Sequence, residues 1–199
     1  MSKSRSEQKR EDIIAAAKYA FKEFGVRDTS MDKLAEIAGV SKRTVYNHFA
    51  TKEALVMFLI TEQWEQATIQ PGGEFDPSIG VKEQLTALLR AEVDMINTQE
   101  YLDLSRVAVG HLFYSPSELQ REVEKMSCKE TAIERWIKAA QEAGALKIDD
   151  AELAAHQIHD LMKGSCFWPQ LFNMEPILTE ERKDYLINET ITMFLARYE

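Results

Sequence analysis

Arg43 and Asn47 stand four residues apart, so on a helix they share one face. Both side chains are planar forks that make paired hydrogen bonds, the guanidinium to the O6 and N7 of guanine and the amide to the N6 and N7 of adenine. Val45 and Phe49 are also four apart and fall on the opposite, inward side. Thr44 and Tyr46 flank the forks, and Tyr46 and His48 carry groups that can donate to phosphate from the rims. The segment begins Ser41-Lys42-Arg43, placing two cations in a first helical turn, and Lys52 follows Thr51 at the start of the next helix. A helix N-terminus already carries partial positive charge, so each exposed cation there costs ~0.3–1 kcal/mol. Elsewhere helices begin with Glu118 or Glu180-Glu181, as stability alone prefers. Phosphate removes the conflict, because free backbone N–H groups, the dipole and the cations all attract it.

Other chemistries find no purchase. The chain has no P-loop, dinucleotide fingerprint, nucleophile elbow or HExxH motif. It lacks the Glu-x-x-His pairs of a di-iron bundle. Glu152, His156, His159 and Asp160 could gather on one helical stripe, and we read them as a polar seam rather than a metal site. Cys128 and Cys166 lack zinc-ligand spacing, and Cys166 reads as a small buried hydrophobe rather than a nucleophile. The expectation is no enzyme, no cofactor and no metal.

The elements that must position the forks are helical. Apolar residues recur at helical spacing over about 7–24, where Gly25 ends the pattern, and over 30–38, where Gly39 does. Ser41 caps a segment to Phe49, and Thr51 caps a longer one running towards Ile69. Two short helices separated by Gly39-Val40 and packed on a longer first helix match a helix-turn-helix. The run from Pro71 to Pro77 is the strongest breaker, and helices are expected after it at 79–97, 100–113, 116–142, 150–173 and 179–198. Ser115-Pro116-Ser117-Glu118 is a helix-start signal, and Pro169 should kink or shorten its helix. The fold is all-α.

Charge divides the chain in the same way. The net charge is −9, yet residues 1–52 hold 11 Lys/Arg against 7 Asp/Glu, while residues 53–199 hold 13 against 26. A basic module at 1–52 on an acidic one at 53–199 puts any polyanion contact at the N-terminus. With 199 residues and 45% hydrophobic content the chain can build a full core without staples. The longest apolar run, Ala54 to Ile60, is far short of a membrane span, and the charged N-terminus has no secretory h-region. A soluble cytoplasmic protein without a membrane partner is expected.

The stretch from Thr29 to Phe49, with its Gly39-Val40-Ser41 turn, continues as Ala50-Thr51-Lys52-Glu53-Ala54-Leu55. It closely resembles the DNA-binding domain of TetR/AcrR-type transcriptional regulators, over roughly residues 10–60, and its Tyr-x-His-Phe-x-x-Lys-Glu-x-Leu portion is highly specific. The resemblance implies that the helix after the turn enters the major groove. It implies phosphate contacts at Ser30, Tyr46, His48 and Lys52, and base-facing positions at Lys42, Arg43, Thr44 and Asn47. The remaining 140 or so residues resemble the AefR-like branch, implying a larger helical domain for ligand binding and dimerisation.

One reading helix covers only a few base pairs, so a two-fold homodimer on a palindromic operator is expected, with half-sites about 34–36 Å apart. The last helix offers a stripe of Tyr185, Ile187, Ile191, Phe194 and Leu195 for that interface, and the preceding one offers Leu153, Ile158, Leu161, Met162, Phe167 and Trp168. A mostly apolar inducer site is expected within 55–175, walled by Trp64, Phe113, Tyr114, Trp136, Phe167 and Trp168. Its candidate polar anchors are Arg106, His111, His159 and Asp160. Arg106 would suit a carboxylate and Asp160 a cation, so the inducer's identity stays open. The leading function is a repressor released by a small molecule. The alternatives are a DNA-bound regulator controlled by a protein partner and an all-α enzyme built on the acidic module.

Overall fold

The computed structural model describes residues 4–66, 73–114, 121 and 129–199. Helices α1 (Arg5–Phe24), α2 (Met31–Ile37), α3 (Lys42–His48) and α4 (Lys52–Trp64) come first. They are followed by α5 (Val81–Ile96), α6 (Gln99–Phe113), α7 (Ala132–Glu142), α8 (Ala151–Cys166), the short α9 (Trp168–Leu171) and α10 (Glu180–Tyr198). No strand occurs among the described residues. No helix among them is long and apolar enough to cross a membrane.

Two compact units are built from Met1–Glu62 with Asp103–Pro116, and from Gln63–Leu102 with Ser117–Glu199. The first closes over Ile13, Ala17, Phe21, Leu34, Val45, Phe49, Leu55 and Leu59, joined by Leu104 and Ala108 of α6. The larger second unit packs α5, α7, α8 and α10 around Leu85, Leu89, Trp136, Ile137, Ile158, Met162 and Ile191. The Trp136 indole donates to Gln84 Oε1 at 3.1 Å, which satisfies the one polar atom of the largest side chain in this core.

Two of the expected helices are interrupted. The helix expected over 116–142 is interrupted, because residues 129–130 are not helical and Thr131 caps α7 by accepting from the Glu134 N–H at 3.2 Å. The Ser115-Pro116-Ser117-Glu118 signal lies outside the described residues. The helix expected over 150–173 breaks at Phe167, where φ −132° and ψ −60° leave the helical region. Pro169 in the next turn has no N–H to continue the ladder. The helix expected to run through Trp64 towards Ile69 is α-helical to Trp64 and continues as a π turn at Glu65 and Gln66, and residues 67–69 lie outside the described residues.

Candidate nucleic-acid interface

Each short helix of the N-terminal unit is capped by its own hydroxyl residue. Ser30 Oγ accepts from the Lys33 N–H and Ser41 Oγ from the Thr44 N–H, at 3.2 and 3.1 Å. Between the two helices Gly39 takes φ +65°, a left-handed conformation that costs glycine nothing, and the Val40 N–H returns to the Ala35 carbonyl at 3.0 Å. Thr29 closes the preceding loop from inside: it is buried, and its hydroxyl donates to the Gly25 carbonyl at 2.8 Å.

This frame gives α3 the two faces expected of it. Val45 and Phe49 are buried, whereas Arg43, Tyr46 and Asn47 are exposed, Tyr46 by half its surface. Thr44 and His48 are half-buried at the edges, and Ser30 is exposed at the head of α2. The structure therefore brings Arg43, Thr44, Tyr46, Asn47 and His48 onto one presentable surface. A groove of about 450 Å³ runs beside it, lined by Thr44, Asn47 and His48 together with Arg5, Ser6 and Lys9 of α1. The sequence pattern did not single out these three α1 residues, although Arg5 and Lys9 are four apart and open a basic segment.

Two cations are placed otherwise than their first-turn positions suggest. Lys42 is exposed, but its ammonium is paired with the Asp32 carboxylate at 2.6 Å, which holds its pKa above the ordinary lysine value. Lys52 does not reach outward as an unengaged first-turn cation. Its ammonium donates to the carbonyls of Val26, Arg27 and Thr29 at 2.9, 3.2 and 3.1 Å, tying the first turn of α4 to the loop between α1 and α2.

The residues expected around an inducer are divided. Arg106, His111, Phe113 and Tyr114 belong to the first unit, and Trp64, Trp136, His159, Asp160, Phe167 and Trp168 to the second. Phe113 and Tyr114 are exposed, and Arg106 pairs with Asp103 at 2.5 Å. In the second unit Trp136 is a core residue rather than an open wall, and Asp160 is exposed rather than turned inward. His159 is buried, its Nδ1 3.0 Å from Glu92 Oε1, with Nε2 3.4 Å from Thr131 Oγ1. Glu152, His156 and Asp160 are exposed while His159 faces the core, so these four side chains do not converge. Phe167 packs edge-on against Tyr101 and Trp168, with centroids 6.0 and 5.0 Å apart.

Cys166 is fully buried, and burial, helped by the nearby Glu92, pushes its thiol up to about 11. At about pH 8 that leaves roughly one thiol in a thousand ionised. Iodoacetamide should therefore label Cys166 only when the protein is unfolded. Peptide mapping that finds equal labelling in native and denatured protein would contradict this placement.

The expected dimer stripe also needs correction. Ile187, Ile191 and Phe194 are buried in the protomer's own core, and Leu195 packs partly against it. The periodicity located an apolar face truly, but α5 and α8 of the same chain cover it. Of the α10 stripe only Tyr185 is exposed, joined by Met193, which lies off the predicted stripe. From the preceding segment Leu153, Leu161 and Trp168 are exposed, while Ile158 and Met162 are buried.

Against this geometry the likeness to known proteins is specific. Residues 13–57 match the family model described as bacterial regulatory proteins, tetR family, and residues 83–199 match the C-terminal domain of AefR-like transcriptional repressors. The chain belongs to the TetR family. A TetR-family regulator from Pseudomonas syringae pv. tomato is 37% identical over 97% of this chain and 98% of its own, with a TM-score of 0.74. The flavonoid-responsive regulator FrrA is 26% identical over 97% of this chain and 98% of its own, with a TM-score of 0.66. An uncharacterized regulator of Bacillus subtilis, YhgD, is 28% identical over 72% of this chain and 74% of its own. This TetR-family protein is thus a DNA-binding transcriptional regulator of the repressor type, with an N-terminal helix-turn-helix and a larger C-terminal helical domain.

Proposed function

We propose that the protein is a homodimeric repressor that holds a palindromic operator and is released from it by a small molecule. Residues 1–52 carry the DNA contact in this reading, and residues 53–199 carry ligand binding and dimerisation. The observation that supports it most directly is the outward face of α3, where Arg43, Tyr46 and Asn47 are exposed over a buried Val45 and Phe49. Arg43 and Asn47 read bases, Thr44 lies between them, and Ser30, Tyr46 and His48 reach phosphate. Lys42 exchanges Asp32 for DNA or stays paired at the rim. The two-fold contact uses the outward residues of α8 to α10, namely Leu153, Leu161, Trp168, Tyr185 and Met193, in place of the buried stripe.

The flavonoid-responsive relative supports extending a small-molecule response to this chain. Within the second unit, Phe167 beside Tyr101 offers aromatic wall and the Glu92–His159 pair offers a buried polar group. The ligand acts by favouring a dimer whose reading helices no longer match the groove spacing, since equal affinity for both forms shifts nothing.

Replacing Arg43 with alanine tests the assignment of α3. On a duplex selected from a random pool by the wild-type protein, R43A should lose about 1–3 kcal/mol and relax preference at one base position. Unchanged affinity and unchanged preference would sink the role given to this helix.

A further inference from the structure

We infer that the groove between α1 and α3 is a second DNA-backbone site, in which Arg5 and Lys9 hold phosphates flanking the bases that α3 reads. The inference rests on the proposed reading of α3 and adds a helix to the contact. The groove holds about 450 Å³ and is lined by Arg5, Ser6 and Lys9 on one side and Thr44, Asn47 and His48 on the other. Arg5 and Lys9 are exposed, lie one turn apart, and have no hydrogen-bond or ion-pair partner among the described residues. No carboxylate among the described residues lines the groove.

The neighbouring acids are occupied elsewhere. Glu7 turns back to accept the Ser4 N–H at 2.7 Å in a capping box, and Asp12 accepts from Gln8 at 3.1 Å. Arg5 sits in the first turn, where the helix dipole disfavours a cation, so its position carries the same conflict that phosphate relieves at α3. The groove on the other side of the turn is different. It is larger, about 710 Å³, but Asp32 and Glu36 line it and Lys42 is already paired there with Asp32. The second cation of that groove, Lys33, lies over the Phe24 ring with its ammonium 3.1 Å from the centroid, so the α1 groove is set apart by two cations and no carboxylate in its lining. Because Thr44 and Asn47 face the same groove, a polyanion seated in it belongs to the duplex that α3 reads, and its negative groups are the sugar-phosphate strand.

The test uses the full chain and two duplexes, one selected by the wild type from a random pool and one unrelated control sequence. The R5A/K9A variant should bind both more weakly, with the slope of log K against log salt less steep by about 0.9 for each phosphate that a protomer no longer neutralises. Base preference should stay as in wild type. K22A, which removes an exposed cation at the far end of α1, should leave the slope nearly unchanged. Phosphate-ethylation interference on the selected duplex should show phosphates flanking the bases read by α3 at which ethylation blocks binding by the wild type and by K22A but no longer affects R5A/K9A. A slope for R5A/K9A equal to that of K22A overturns the inference, as does an ethylation-interference pattern that is the same for R5A/K9A and wild type. Wild-type protein that selects no sequence would instead overturn the reading of α3.

Discussion

Aspartate at Ile191 should unfold the C-terminal unit rather than split a folded dimer. Ile191 is fully buried among the packed side chains of α5, α8 and α10. A carboxylate there has no described partner to offset its desolvation, and the isoleucine packing disappears as well. The expected cost is about 4 kcal/mol or more, among the larger effects that one substitution produces. Aspartate at Met193 makes the contrast, because that side chain is 60% exposed in the protomer. M193D should keep the protomer's stability within about 0.5 kcal/mol, as surface substitutions usually do, while weakening self-association and operator affinity together. Urea unfolding followed by circular dichroism, with sedimentation velocity at micromolar concentration, separates the two outcomes. A folded, monomeric I191D protein would show that the side chain belongs to the interface after all.

That contrast marks the limit of reading a stripe. Period 3.6 in Tyr185 to Tyr198 reports that one face of α10 is covered, and it is. It carries no information on whether the cover is the same chain or a second copy. The covering surface comes from α5 and α8, tens of residues earlier, through packing that local pattern does not encode. The same holds for the Glu92–His159 pair, whose members are 67 residues apart and meet in the core.

The outward face of α3 was legible for the opposite reason. Arg43, Val45, Asn47 and Phe49 sort onto two sides of one short helix by spacing alone, and Ser41 and Gly39 mark its start and the turn before it. The spacing that sorts those faces lies within ten residues, although the surface that covers Val45 and Phe49 comes from α1 and α4 as well. Cation placement is less local. Lys42 finds Asp32 ten residues back, and Arg5 with Lys9 meets α3 only through the fold. A charged residue in a first turn thus announces an electrostatic conflict, but its resolution can be phosphate, a carboxylate or a set of carbonyls.

Lys52 takes the third course, and removing its charge should be costly twice over. Methionine keeps the length of the stem but cannot donate to the Val26, Arg27 and Thr29 carbonyls. Hydrogen bonds from a charged group contribute about 1.5–3 kcal/mol net, and these carbonyls are partly reached by water. K52M should therefore lower unfolding free energy by roughly 2–3 kcal/mol. The loop it ties ends at Thr29 and Ser30, which lock the start of α2, and α2 carries the turn that aims α3. Operator affinity should fall well below the melting range, with loss of discrimination between operator and unrelated duplex. The decisive quantity is the salt dependence of binding to unrelated duplex. A lysine spent on carbonyls releases no counter-ion when DNA arrives, so K52M should retain the wild-type slope. A slope less steep by about one unit per protomer would make Lys52 a phosphate ligand that leaves its carbonyls on binding. Wild-type affinity and discrimination in a destabilised variant would confine it to holding the fold.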